Sequence, residues 1–182
     1  MENDWTAELA DQLTFDWEVQ LRPRWTGLTD EEYLWEPVRE MWSVRAAGTG
    51  RSPMAVGGGG TEIDYQIPEP KPVPVTTIAW RIGHLLVGVF GERNARYFDG
   101  PAVDYATYAY PMSATEALTR LDEGYRLWNR GVRGLTATDL ADRCREPGFE
   151  TDSMAALILH INREICHHGA EINLLRDLYR WR

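Results

Sequence analysis

Ser153-Met-Ala-Ala-Leu-Ile-Leu-His160-Ile-Asn-Arg-Glu164-Ile-Cys-His167-His168-Gly-Ala-Glu171-Ile-Asn-Leu-Leu-Arg176-Asp-Leu-Tyr179 is the stretch whose reading decides the fold. At about 100° per residue, Met154, Ile158, Ile161, Ile165, Ile172, Leu175 and Tyr179 fall on one stripe. That periodicity predicts one long amphipathic helix, starting after Asp152 or Ser153 and ending near Tyr179, with Arg176 and Arg180 beside its last carbonyls. His168 falls inside the apolar stripe and Glu164 on its margin, one turn away, so both side chains reach a single point beside the helix. An i, i+4 carboxylate–imidazole pair is sound ligand geometry for zinc or another transition metal. His160, His167 and Glu171 lie further round, and His160 is about 12 Å from His168 along the axis. On this helix alone, a structural hydrogen-bonded pair remains the simpler reading.

Working outward, three more helices are expected. Leu9, Leu13, Trp17 and Leu21 recur at i, i+4 and predict a helix from about Trp5 to Leu21, stopped near Pro23. A short piece at Asp30–Trp35 would be capped by Thr29 or Asp30 and ended by Pro37. Thr77 to about Tyr97 reads as a helix apolar on most of its circumference, hence buried on several sides, with Gly83, Gly88 and Gly91 permitting close approach. Ser113, with Glu116 three residues on, caps a helix running to about Val132 whose apolar side is Leu118, Leu121, Tyr125 and Leu127. Thr136 or Thr138 can start a further turn. Between about 45 and 76, Gly57-Gly58-Gly59-Gly60 and the alternating Pro68, Pro70, Pro72 and Pro74 exclude helix and central strand. This segment is expected to be a flexible crossover packed over one end. With no convincing strand, the chain reads as a single all-α domain over 1–182, a four-helix bundle with long crossover connections.

His84 sits mid-way along the apolar second helix, in Ile82-Gly83-His84-Leu85-Leu86. A buried imidazole needs partners for both nitrogens, and an ion plus one outer acceptor supplies them; a carbonyl or tyrosine would also serve. His84, Glu164 and His168 together form the candidate metal set. Cys166 points away from the stripe and reads as a packing residue. Asp16, between Gln12 and Gln20, reads first as part of a solvated helix face, with a polar pocket as the alternative, and Trp42 and Ser43 read as capping and anchoring residues. The glycine run is no phosphate cradle, since Thr61-Glu62 follows it, and no GxSxG, HExxH or paired CxxC motif occurs.

Composition narrows the function. The 182 residues are 43% hydrophobic and 26% charged, a globular balance, and carry a net charge of −9. Lys71 is the only lysine and the arginines are scattered, so nucleic-acid binding is not expected. The acidic start lacks an apolar signal segment, and Ile82–Phe90 is too short to span a bilayer, so no membrane role is expected. Cys144 and Cys166 do not make a disulfide framework, and the cytoplasm is the default compartment.

Thr76-Thr77-Ile78-Ala79-Trp80-Arg81-Ile82-Gly83-His84 and His160-Ile-Asn-Arg-Glu164-Ile-Cys-His167-His168-Gly-Ala-Glu171-Ile resemble the DinB/YfiT-like superfamily, in particular its actinobacterial DinB branch. Leu34-Trp35-Glu36-Pro37 and Met41-Trp42-Ser43-Val44 resemble its entry segment, so the likeness spans nearly the whole chain. The resemblance implies an up-and-down bundle with long crossovers, often a homodimer. It also implies one metal-ligating histidine from the second long helix, matched by His84, and two ligands four residues apart on the fourth. His168 matches the last of these; the middle one, commonly histidine, is Glu164 here. Two histidines and a carboxylate suit zinc first, with nickel or iron as alternatives. The resemblance implies a metal-dependent enzyme of the low-molecular-weight-thiol S-transferase kind, acting on a small thiol and an electrophile. An open metal site with bound water would instead support hydrolysis. A non-catalytic metal-binding or stress-associated bundle is the rival, and it predicts a fourth ligand from His160, His167 or another side chain. An empty, vestigial site is a third reading.

Overall fold

The computed structural model describes residues 4–182, and the chain is mostly helical. The first rod starts at α1 (Trp5–Phe15), where the Asp4 side chain accepts the Ala7 N–H. It continues without a break into a wider π-helical segment, Asp16–Leu21, and ends in the 3-10 turn Arg22–Trp25. Pro23 lies in the first turn of that 3-10 segment, where its missing N–H costs nothing. Leu13, Trp17, Leu21 and Trp25 are buried along this rod. Trp17 stacks on Tyr125 with ring centroids 4.3 Å apart and meets Trp25 edge-on at 5.6 Å. The short α2 (Asp30–Tyr33) is capped by Thr29, whose hydroxyl accepts the Glu32 N–H.

The second rod runs from α3 (Ile78–His84) through a π-helical segment, Leu85–Gly91, into α4 (Glu92–Tyr97). Thr77 caps it by accepting the Trp80 N–H. The third is α5 (Ala114–Arg133), capped by Ser113, followed by α6 (Ala137–Ala141) with a reciprocal Thr136–Asp139 capping box. The fourth is α7 (Met154–Arg180), capped by Ser153. The first and second rods each pack against both α5 and α7. Met154, Ile158, Ile161, Ile165, Ile172 and Leu175 are buried as the periodicity predicts, whereas Tyr179 lies at the edge against Trp35. On α5 the core residue is Trp128; Leu127 is half-buried, because the helix turns Trp128 towards Phe98. Among the described residues no helix is long and apolar enough to cross a membrane.

The crossover corrects the sequence reading in two ways. It contains strands: β1 (Val44–Ala46) and β2 (Thr61–Ile63) pair antiparallel with Val44 opposite Ile63, both buried. Gly83 lets this ribbon lie close on α3, since a Cβ there would stand 3.0 Å from Ile63 Cδ1 and 3.4 Å from Val44 Cγ2. The glycine run is also pinned rather than loose, with the Gly58 N–H donating to the Tyr108 carbonyl. Asp64 organises the rest. It is buried, and its carboxylate accepts the backbone N–H groups of Ser43, Arg51 and Ser52 and the Nε–H of Arg45. Trp42 bridges Thr76, and the Ser43 hydroxyl meets the Thr77 hydroxyl at 2.9 Å, so both residues anchor the start of α3 as expected.

Candidate metal centre

His84 closes α3 at the point where the helix widens, and its ring faces α7. The His84 and His168 rings stand edge to face with centroids 5.0 Å apart. His168 Nε2 lies 3.6 Å from Glu164 Oε2, one turn earlier on α7. One ligand atom from each of His84, Glu164 and His168 falls within 4.8 Å of the other two. Donors around a tetrahedral zinc ion with bonds near 2.1 Å are about 3.4 Å apart, so a modest contraction closes this set on one ion. The three residues picked out by the sequence are brought together.

Both imidazoles are held from behind. His84 Nδ1 lies 2.7 Å from the Tyr105 hydroxyl, and His168 Nδ1 lies 3.0 Å from Glu171 Oε2. Glu171 is in turn ion-paired with Arg81, one turn before His84 on α3. Outer hydrogen bonds to Nδ1 orient a histidine so that Nε2 faces an ion, which is the arrangement a metal site requires. Trp80 stacks on the His84 ring at 5.6 Å and donates its indole N–H to the Asp64 carbonyl, joining the site to the crossover. Sequence reasoning missed Tyr105, Arg81 and Trp80, and set Glu171 aside. The i, i+3 spacing of Glu171 from His168 was the available signal for one of them; nothing local marks Tyr105, which comes from the connection between α4 and α5.

Burial drives both imidazoles towards the neutral form. His84 is lowered to about 4 by desolvation, only partly opposed by the Glu164 charge. His168 is lowered to about 3 by desolvation, with His84 and Arg81 adding to the effect. Their lone pairs are therefore open at neutral pH without displacing a proton. Below about pH 6.5 the unfolded chain protonates these imidazoles while the folded chain does so only near pH 4 and 3. Stability of the metal-free protein is thus expected to fall as pH drops through that window, and to stay level for these groups above pH 7. Each histidine adds a slope of up to about 1.4 kcal/mol per pH unit. Urea midpoints between pH 7.5 and 4.5 measure it, and His84→Leu should flatten the slope relative to the parent chain.

The remaining polar residues have other partners. His160 Nδ1 receives Arg163 and stands 3.6 Å from Glu164 Oε1, at the edge of the cluster. His167 is largely exposed and leans on Glu171 at 3.5 Å. His167, His168 and Glu171 also approach one another within 4.8 Å, but the Arg81 guanidinium already occupies the Glu171 carboxylate. The Cys166 thiol lies 2.7 Å from Asp16 Oδ2, and burial together with that carboxylate pushes it up to about 12, which disfavours the thiolate. Asp16 thus ties the π-helical segment of the first rod to α7. A cavity of about 370 Å³ adjoins the cluster through His160 and is lined by Arg93, Phe149, Leu157 and Arg163 among others.

No curated protein and no solved structure matches the chain. A sequence model of the DinB superfamily matches residues 12–172, a span that runs from within the first rod into the fourth and includes the crossover and the three clustered residues. The chain belongs to the DinB superfamily.

Proposed function

We propose that the chain is a single four-helix-bundle domain acting as a divalent-metal-dependent enzyme, with His84, Glu164 and His168 as ligands. A low-molecular-weight thiol and an electrophile are its substrates. The observation that carries this reading is the donor count. Among the described residues three donors converge on the point; of the candidates for a closing fourth ligand, His160 meets Arg163 and the outer oxygen of Glu164, and His167 leans on Glu171. That count favours an open coordination position over a closed structural site. Zinc fits the donor set best, with nickel or iron as alternatives.

When bound, the ion supplies Lewis acidity that favours the thiolate form of a coordinated thiol at neutral pH. The chain's own residues define the rest. Glu171 and Arg81 cancel each other's charge, so with Glu164 as its one anionic ligand a divalent ion would keep one net positive charge. An anionic sulfur ligand completes that balance. The adjoining cavity offers Phe149 and Leu157 as apolar walls for the electrophile, and His160 separates it from Glu164. The reaction forms one S–C bond, expels the leaving group of the electrophile and releases the thiol proton to solvent.

The test is conjugation of small thiols, including cysteinyl-sugar thiols of the mycothiol type, to monochlorobimane by zinc-, nickel- or iron-loaded protein. The expected result is turnover well above the thiol-only background, lost with chelator and in His168→Ala. Background rates for every thiol with every metal would rule the transferase reading out.

A further inference from the structure

The two imidazoles of the cluster are not held alike. A carboxylate only accepts hydrogen bonds, so Glu171 at 3.0 Å favours the Nδ1–H form of His168, with Nε2 free, over the form in which the more distant Arg81 guanidinium, at 3.5 Å, donates to Nδ1. The group behind His84 is a hydroxyl, which can donate or accept, and only acceptance leaves His84 with a free Nε2. The Tyr105 hydroxyl stands 2.7 Å from His84 Nδ1, on the side of the ring away from the cluster, so a free Nε2 for the triad requires that this oxygen accept.

The position of that oxygen is built by three separate features. Gly88 lies in the π-helical segment one turn beyond His84, and a Cβ there would collide with the Tyr105 hydroxyl and stand 3.2 Å from His84 Cε1. The slot for the hydroxyl therefore exists only because residue 88 is glycine. The Tyr105 ring stacks on Tyr65 with centroids 6.2 Å apart, and its backbone carbonyl accepts the Tyr110 hydroxyl at 3.2 Å. The turn that carries it is closed by Asp104, whose carboxylate accepts the Ala106 N–H at 2.6 Å and whose carbonyl accepts the Tyr108 N–H at 3.1 Å.

We propose that Tyr105 is a positioning residue of the metal centre: its hydroxyl oxygen accepts the Nδ1–H of His84, fixing Nε2 as the donor atom, and Gly88 provides the space in which it does so. This rests on the triad reading above, and it goes beyond that reading by assigning a role to a residue from the α4–α5 connection.

The experiment uses the full chain at pH 8 with two readouts. Imidazole ¹⁵N NMR of the metal-free protein reads the tautomer of His84, with His168 as an internal control. Competition with a chelator reads zinc affinity. The parent chain is expected to show His84 protonated on Nδ1. Tyr105→Phe keeps the ring and its stacking but removes the oxygen. It is expected to shift His84 towards the Nε2–H tautomer, leave His168 unchanged, and weaken zinc binding about 10- to 100-fold. Gly88→Ala should reproduce both effects, and Tyr65→Phe neither; should Gly88→Ala fail to fold, Tyr105→Phe decides alone. An Nε2–H tautomer in the parent chain, or parental zinc affinity in Tyr105→Phe, would overturn the proposal. A parent chain that binds no zinc, yet loses its Nδ1–H tautomer in Tyr105→Phe, would sink the triad while leaving the tautomer assignment standing.

Discussion

Zinc added to metal-free protein is expected to raise its unfolding free energy by about 4 kcal/mol when free ion exceeds the dissociation constant a thousandfold. For a chain of this size that corresponds to roughly 8–16 °C in Tm. The gain arises because the three donors converge only in the folded chain, where α3 and α7 hold them within 4.8 Å. His84→Ala and His168→Ala are each expected to remove it almost entirely, since two remaining donors hold an ion no better than scattered surface residues do. Glu164→Gln keeps the shape but removes the anionic donor, so a reduced shift is expected. The metal-free melting point of each variant is the baseline for its own zinc shift, because truncation also removes the His84 contacts with Tyr105 and Trp80 or the His168 contact with Glu171. A zinc-dependent shift of parental size in His84→Ala would mean that the ion binds elsewhere.

The second large effect concerns stability without metal. Arg176 on α7 and Glu32 on α2 form an ion pair with side chains 4% and 5% exposed, joined at 2.6 and 3.1 Å. The same guanidinium satisfies the carbonyls of Arg24 and Thr26, which end the first rod. Arg176→Met is expected to cost about 3–5 kcal/mol, because it leaves a buried carboxylate without its partner and removes the donor to two half-buried carbonyls. The corresponding fall in Tm is roughly 6–20 °C. The double variant Glu32→Leu with Arg176→Met should recover much of that loss, since the pair's own net contribution is small against the cost of orphaning either member. Urea unfolding of the two variants separates these terms. Equal losses in the single and double variants would show that packing around Arg176, rather than charge, sets the effect.

The helices were legible because each carries its own local signals. Ser113, Thr29, Thr77 and Ser153 each accept the N–H that a capping residue should, and the apolar stripe of α7 is buried nearly as read. The crossover was not legible, since what makes it a ribbon is a buried carboxylate, Asp64, collecting N–H groups from residues 12 to 21 positions away. Glycine and proline content describes only what such a segment cannot be. The π-helical segments were equally hidden, since no local signal marks them, and Gly88 acquires its meaning only once Tyr105 stands beside it. For the candidate centre, His168 and Glu164 share a helix face and are visible as spacing, and His84 is visible as a polar residue in an apolar run. The groups behind them are visible only in part, because Arg81 and Tyr105 reach the imidazoles across tertiary contacts.

The most direct test is elemental mass spectrometry of the protein purified without a histidine tag. Close to one equivalent of zinc, nickel or iron per chain is predicted for the parent, and almost none for His84→Ala and His168→Ala. Unchanged metal content in both variants would contradict the assignment of this centre.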